Sequence, residues 1–159
     1  MKSYMLTRKN GKEITDKIHQ CWPNKPNYNS KKIFSIELDI EQSLLSSKEF
    51  TAVKIGKDVI PFLQMEKLLE TYGKLVVDKG AIRFVCDGAN VMRPGVVSVD
   101  GYFDSGDIIC VKDIQYGKFL AVGFAINSSS EIMTLSKGII MKNMHYVGDK
   151  FWEVYKNIR

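Results

Sequence analysis

Apolar residues recur at helical spacing over residues 9–21, where Ile14, Ile18 and Cys21 are separated by Lys and Asp, and the pattern predicts one amphipathic helix. It should end near Trp22-Pro23, because proline disfavours helix in the residue before it. Residues 24–30 are loop by composition. Phe34, Ile36, Leu38 and Ile40 then alternate with Ser35, Glu37 and Asp39, the period of a half-buried strand. Residues 50–55 and 59–62 read as two strands joined as a hairpin across Gly56-Lys57-Asp58. Met65, Leu68, Leu69 and Tyr72 share one helical face, and Gly73 is placed to end that helix. The first half is thus expected to be a small α+β domain over residues 1–74.

The second half, residues 75–159, opens with a strand at Leu75-Val76-Val77 and a short helix over residues 79–87. In that helix Ala81, Ile82, Val85 and Cys86 face inward, and Lys79 and Arg83 share the outer edge at i, i+4. On spacing alone, that basic pair reads as a solvated helix face. Gly88, Pro94 and Gly95 mark tight backbone geometry around Asn90-Val91-Met92-Arg93. Residues 96–99 form a further strand, and 104–107 a turn. Residues 108–111 and 119–126 pair across Gln115-Tyr116-Gly117-Lys118. Asn127 and Ser128 to Ser130, with Glu131 just inside, supply caps for a brief helix through Leu135, which Gly138 ends. Residues 139–147 and 151–155 are expected as final strands around Gly148-Asp149. Short strands with two short helices among them suggest a small, partly closed barrel.

Composition narrows the class. With 159 residues, 45% apolar and 26% charged, the chain is long enough to bury a real core as one domain or two small ones. No apolar run approaches the roughly 20 residues that span a bilayer, so no membrane helix is expected. The first nine residues carry no apolar core of signal-peptide length, and a cytoplasmic location is expected. Cys21, Cys86 and Cys110 are odd in number and widely spaced, which suits free thiols rather than a disulfide framework. No Cys or His pair has metal-ligand spacing, and no metal or other cofactor is expected. The net charge of +5 points weakly to an anionic partner. Residues 1–74 hold 13 Lys and Arg against 9 Asp and Glu, and residues 75–159 hold 10 against 9. A polyanion bound by the second half must therefore meet a local basic patch, with the first half adding longer-range attraction.

The motifs of the second half resemble those of the PUA domain, the RNA-binding module named for pseudouridine synthases and archaeosine transglycosylases. They run in order: Val76-Val77-Asp78-Lys79-Gly80-Ala81, Gly88 to Gly95, Ser105-Gly106-Asp107, Ala121-Val122-Gly123 and Lys137-Gly138-Ile139. Within that group, residues 77–85, Gly88-Ala89-Asn90-Val91-Met92 and Asn143-Met144-His145-Tyr146 are most similar to the malignant-T-cell-amplified-sequence translation factors and their archaeal relatives. The resemblance implies an α+β protein: a pre-PUA domain over residues 1–74, then a mixed β pseudo-barrel with two short helices. Two departures stand out. Ser105 replaces a proline common before the Gly-Asp pair, which should loosen a turn, and residues 98–104 look like an insert.

The resemblance also implies a non-enzymatic role in translation, with structured RNA (tRNA or ribosomal RNA) as partner and the small ribosomal subunit or another translation factor nearby. Its RNA groove maps onto Lys79, Gly80 and Arg83, then Ala89, Asn90, Met92 and Arg93, then Lys137, Lys142 and His145. Lys and Arg would meet phosphates, and Gly80 and Gly88 would let the backbone approach the strand. Asn90 would read a base edge or 2′-hydroxyl, and Met92 would lie against an unstacked base. Arg93 is the cation that the exposed turn should present best. From the residues alone, Met92 reads more readily as core, Gly88 and Gly95 equally as turn glycines, and His145 as a packed or partly exposed strand histidine. No catalytic constellation is expected, since Cys86 has no nearby histidine in sequence. Two alternatives stay open: an accessory RNA-specificity subunit of a separate modifying enzyme, or a protein-interaction or small-molecule-sensing module.

Overall fold

The computed structural model describes residues 1–158. The chain opens with β1 (Lys2–Met5) and α1 (Arg8–Cys21), followed by β2 (Phe34–Glu37), β3 (Gln42–Ser46), β4 (Thr51–Ile55) and β5 (Asp58–Pro61). The five strands form one antiparallel sheet in chain order. Thr7 starts α1 by accepting the Asn10 N–H at its hydroxyl. The helix stops at Cys21, where Trp22 turns to an extended ψ of 132° ahead of Pro23. Trp22 is fully buried and its indole Nε1–H donates to the Val59 carbonyl at 2.8 Å, so the apolar body and its polar tip are both satisfied.

This sheet is covered on both sides, and that changes the expected alternation. Neighbouring positions Leu44 and Leu45, and likewise Ala52 and Val53, are all buried although they point to opposite faces. The strand expected through Ile40 ends at Glu37. Asp39 then takes the Glu41 N–H on its carboxylate, and Ile40 sits fully exposed at the bend. Ile36 and Leu38 remain packed on the core, whereas Phe34, near the β1 edge, is half exposed. The hairpin of β4 and β5 forms as expected, with Gly56 at a φ of +58° in its turn.

A short helix α2 (Glu66–Leu69) leads into β6 (Lys74–Val77) and α3 (Lys79–Val85). There follow β7 (Val91–Met92), a 3-10 turn over Arg93–Gly95, β8 (Val96–Asp100), β9 (Ile108–Asp113) and β10 (Phe119–Ala125). Then come α4 (Ser129–Ile132), β11 (Ile139–Tyr146) and α5 (Lys150–Ile158). The second sheet has the order β7-β11-β10-β9-β6-β8, with β6 and β9 parallel and the remaining pairs antiparallel. It curls around an inner core that includes Leu75, Val77, Ile109, Val111, Ala121 and Met141. The α+β class and the half-barrel are as expected. Ile108, Cys110 and Val122 face the other way and share a core with Ile18, Leu44 and Phe62 of the first sheet. β9 is therefore buried on both faces, which is why it reads as a continuous apolar run.

The segment expected as a last strand is a helix. Residues 151–155 are aromatic and β-branched, the composition of a strand. However, Asp149 accepts the Trp152 N–H on Oδ1 at 2.8 Å and so caps a helix start. The resulting α5 turns Phe151, Trp152 and Tyr155 back to the core of the first sheet, where Phe62 lies 6.0 Å from the Trp152 ring and 4.5 Å from the Tyr155 ring. Two readings of the barrel also change. Residues 98–100, which looked like an insert, continue β8 against β6, with Val99 opposite Leu75. Ser105 ties its turn rather than loosening it, because its hydroxyl donates to the Ile126 carbonyl at 2.7 Å.

Candidate nucleic-acid interface

Asp78 sets the geometry of the site. Its Oδ1 accepts the Ala81 N–H at 3.0 Å, so α3 begins at Lys79 and exposes its first residues. Its N–H donates to the Gly95 carbonyl at 3.0 Å, which seats the 3-10 turn on α3. A Cβ on Gly95 would come within 3.1 Å of Ala81 Cβ, so this approach is close. The other end of α3 closes at Gly88, in the left-handed region at a φ of +93°, where a Cβ would meet the Tyr146 ring at 3.0–3.1 Å. The loop from Gly88 to Asn90 is held from β11. Asn143 Nδ2 donates to the Val85 and Ala89 carbonyls at 3.0 Å each, and the Asn143 N–H donates to Asn90 Oδ1 at 3.0 Å.

These constraints leave an open cleft of ≈ 380 Å³ between α3 and the β7 segment. Gly80 and Phe84 line it from α3, Ala89 and Asn90 from the loop, and Met92 and Pro94 from β7 and the turn. Phe84 is 56% exposed and Met92 48% exposed, so two large apolar side chains lining the cleft stand partly in solvent. The Arg83 guanidinium carbon lies 5.2 Å from the centroid of the Phe84 ring, a cation–π contact that fixes the charge beside the aromatic surface. Lys79 is exposed one turn earlier on α3. The cleft can therefore offer apolar surface to a flat ring, with the Arg83 charge against its Phe84 wall.

The structure brings Gly80, Ala89, Asn90 and Met92 together around the cleft, while Lys79 and Arg83 are exposed on α3 without lining it, Arg83 lying against the Phe84 ring. Three other candidates sit differently. Arg93 is not a free cation on a turn: its Nε donates to the Ile132 carbonyl at 2.9 Å and its Nη1 to the Val96 carbonyl at 3.1 Å. It acts as a strut holding the 3-10 turn to α4. Lys137 and Lys142 are exposed but do not line the cleft. Lys142 is opposite Phe124, which packs against the core shared with the first sheet, while neighbouring Met141 points into the barrel.

His145 is the clear correction. It is fully buried, with Nδ1 2.7 Å from Asp149 Oδ2 and Nε2 accepting the Leu63 N–H at 3.2 Å. Its ring stacks on Phe62 at 4.9 Å, so it joins β11 to the first half of the chain and presents nothing to a ligand. Phe84 is the residue the sequence reading passed over. The inward set Ala81, Ile82, Val85 and Cys86 leaves position 84 on the outer face, and that exposed aromatic was the available signal. Burial, and then the charge of Asp113, raise the Cys86 thiol above its ordinary range, so it is a poor nucleophile. Among the described residues no group of three or more His, Cys, Asp and Glu could hold a metal ion, and no helix is long and apolar enough to cross a membrane.

Comparison with known proteins places this geometry. The PUA domain model matches residues 73–147, which contain the cleft entirely. An uncharacterized protein of Methanocaldococcus jannaschii is 36% identical over 155 residues, 95% of each chain. Translation machinery-associated protein 20 of Saccharomyces cerevisiae is 34% identical over 103 residues, 60% of this chain and 56% of the yeast protein. Malignant T-cell-amplified sequence 1-A of Xenopus laevis is 37% identical over 102 residues, 59% of this chain and 56% of that protein. The chain thus spans little more than half the length of these two eukaryotic relatives. The crystal structure of a hypothetical protein from the hyperthermophilic archaeon Pyrococcus horikoshii superposes with a TM-score of 0.76 at 25% identity, covering 96% of this chain and 99% of that one. The cleft-bearing half-barrel and the near full-length archaeal match lead to one conclusion: this chain belongs to the family of PUA-domain proteins that includes the archaeal protein, the translation machinery-associated proteins and the malignant T-cell-amplified sequences.

Proposed function

We propose that the chain binds structured RNA, tRNA or ribosomal RNA, at the cleft between α3 and the β7 segment, as a non-enzymatic, translation-associated factor of the cytoplasm. Residues 75–159 act as the RNA-binding module, and residues 1–74 as the pre-PUA domain. The observation that carries this reading is that exposed Phe84 and Met92 line one cleft, with the Arg83 charge held against the Phe84 ring and Lys79 exposed on the same helix. Unstacked bases gain about 1–3 kcal/mol each by lying on such aromatic surface, and every base has a face that fits. Gly80 leaves room for a strand to approach the backbone at the rim. Cations at the flank supply salt-dependent attraction to phosphates. Asn90, its carbonyl oxygen already taken by the Asn143 N–H, has its amide group left to donate to a base edge or a 2′-hydroxyl. The names of the eukaryotic relatives support a place in translation.

The test is filter binding of the purified chain to total tRNA from low to moderate salt. The reading expects affinity that falls steeply with salt and drops at least several-fold in Phe84→Ala, a substitution that leaves the charge unchanged. Binding that is absent, or indifferent to both salt and Phe84, refutes it. One observation favours the sensing alternative: the cleft volume of ≈ 380 Å³ lies within the range of about 300–1,000 Å³ seen for small-molecule sites. That reading predicts no salt-dependent tRNA binding.

A further inference from the structure

The first half carries most of the net positive charge but contributes nothing to the cleft. Part of that charge lines a groove between α1 and the loop over residues 26–33. One part of the groove, ≈ 400 Å³, has Arg8, Lys12 and Thr15 on the helix wall and Asn29, Ser30 and Lys31 on the loop wall. An adjoining part of ≈ 190 Å³ continues past Thr15 and Asp16 to His19, against Pro26 and Asn27. Positions 8, 12, 15 and 19 follow one helical face. At 1.5 Å rise per residue the stretch from Arg8 to His19 is about 16 Å long. Tyr28 lines both parts, and its ring is stacked on Phe50 at 5.1 Å, which fixes the wall between them.

Two acidic groups lie nearby, one paired with a lysine and one held by neutral donors that leave its charge in place. Asp16 pairs with Lys12 at 2.8 Å, and Glu49 accepts the Asn29 N–H at 2.7 Å and the Ser30 hydroxyl at 2.5 Å. Among the described residues, neither Arg8 nor Lys31 has a carboxylate partner. We infer that this α1 groove is a second site for the phosphate-sugar backbone of RNA, separate from the cleft. The inference rests on the RNA-binding reading proposed above. The wall chemistry selects the ligand. Arg and Lys with hydroxyl, amide and phenol groups are the set that meets phosphate and sugar oxygens. A docked acidic peptide would be anchored by a large apolar pocket, and this groove offers only Leu6, Ile33 and the flank of Tyr28. Contacts of this kind position RNA without reading its sequence, so the groove adds affinity and salt dependence but no base preference.

The test compares four forms of the full chain for binding to total tRNA and to fragmented ribosomal RNA across a salt series. They are the parent, Arg8→Glu/Lys31→Glu in the groove, Arg83→Glu at the cleft, and Lys57→Glu/Lys67→Glu as a charge-matched control on exposed positions of the same half. Loss of two phosphate contacts should make the slope of log affinity against log salt shallower by about 1.4–1.8. The groove variant is expected to show that change and at least a fivefold affinity loss at low salt, while the control shows less than half of either. A groove variant indistinguishable from the control, with Arg83→Glu impaired, overturns the groove and leaves the cleft standing. An impaired groove variant with Arg83→Glu unaffected supports the groove and refutes the cleft. No binding by the parent chain to either RNA refutes both.

Discussion

Asn143 connects the barrel to the cleft, and replacing it tests whether the loop from Gly88 to Asn90 is held in place from β11. Its amide donates two neutral hydrogen bonds, each worth about 1 kcal/mol. Truncation to alanine loses both, but two effects reduce the cost. The Val85 carbonyl keeps the Gly88 N–H at 3.1 Å, and Asn143 Oδ1, buried without a partner, disappears with the amide. The expected net loss for Asn143→Ala is therefore about 1 kcal/mol, or about 2–4 °C in melting temperature for a chain of this size. Asn143→Asp keeps the shape but places an oxygen where Nδ2 stood, against two carbonyl oxygens, and brings a buried charge with no donor. It should cost about 3 kcal/mol or more at neutral pH. The pH dependence has a definite sign. The folded state holds this new carboxyl above its ordinary range, so the variant is most stable relative to the parent below the unfolded value of about 4. That stability is lost as pH rises through the raised folded value. Urea denaturation of the parent and both variants at mildly acidic and neutral pH measures this directly. An aspartate variant as stable as the alanine variant at neutral pH, or a deficit that does not change with pH, refutes the proposed role.

Other expectations are simpler to check. His145→Ala leaves the Leu63 N–H unpaired, removes one of the three partners of the Asp149 carboxylate and opens space beside Phe62, so urea denaturation should show a loss of about 3 kcal/mol or more. At Gly80 a Cβ would meet only Asp78 Oδ1, at an ordinary 3.5 Å, so Gly80→Ala should stabilise the helix by about 0.5–1 kcal/mol. The same methyl group narrows the cleft rim, and tRNA affinity in filter binding should fall although stability rises. Thiol labelling should follow exposure: Cys21 reacts first, Cys86 slowly, and Cys110, pushed up to about 12 by burial, only when the chain unfolds.

Local signals carried the parts of the fold that are locally determined. α1 has an amphipathic stripe and a following proline. α3 has an inward apolar set with glycine after it, and both helices were legible from those features, although their caps, Thr7 and Asp78, were not read. β1 was not, because its four residues are all exposed on a sheet edge and show no apolar period. β3 was missed because only Leu44 and Leu45 are apolar in a polar stretch, and a sheet covered on both sides does not alternate. α5 was read as a strand since its composition outweighed a cap that only the Asp149 side chain reveals. At the site, Gly88 was legible as a turn glycine, and it sits at a φ of +93°. The residues alone also read His145 as a packed histidine, in agreement with its full burial. They did not show the partners of Arg93 and His145: Ile132 and Leu63 lie 39 and 82 positions away, so only tertiary structure shows that one is a strut and the other a link to the first half of the chain. Gly123 belonged to a recognised motif, but its reason is also tertiary: a Cβ there would stand 1.9 Å from the Lys142 carbonyl oxygen, beside the irregularity where β10 meets β11.

The most direct test of the central claim separates the cleft from net charge. Lys79→Glu/Arg83→Glu reverses both exposed cations on α3, the helix that forms one wall of the cleft, and Lys118→Glu/Lys150→Glu makes the same change in charge on exposed positions outside α3 and the cleft lining. With tRNA affinity measured at one low salt concentration, the account predicts at least a tenfold loss for the first pair and at most a twofold loss for the second. Equal losses for the two pairs, or no loss for the first, would contradict it.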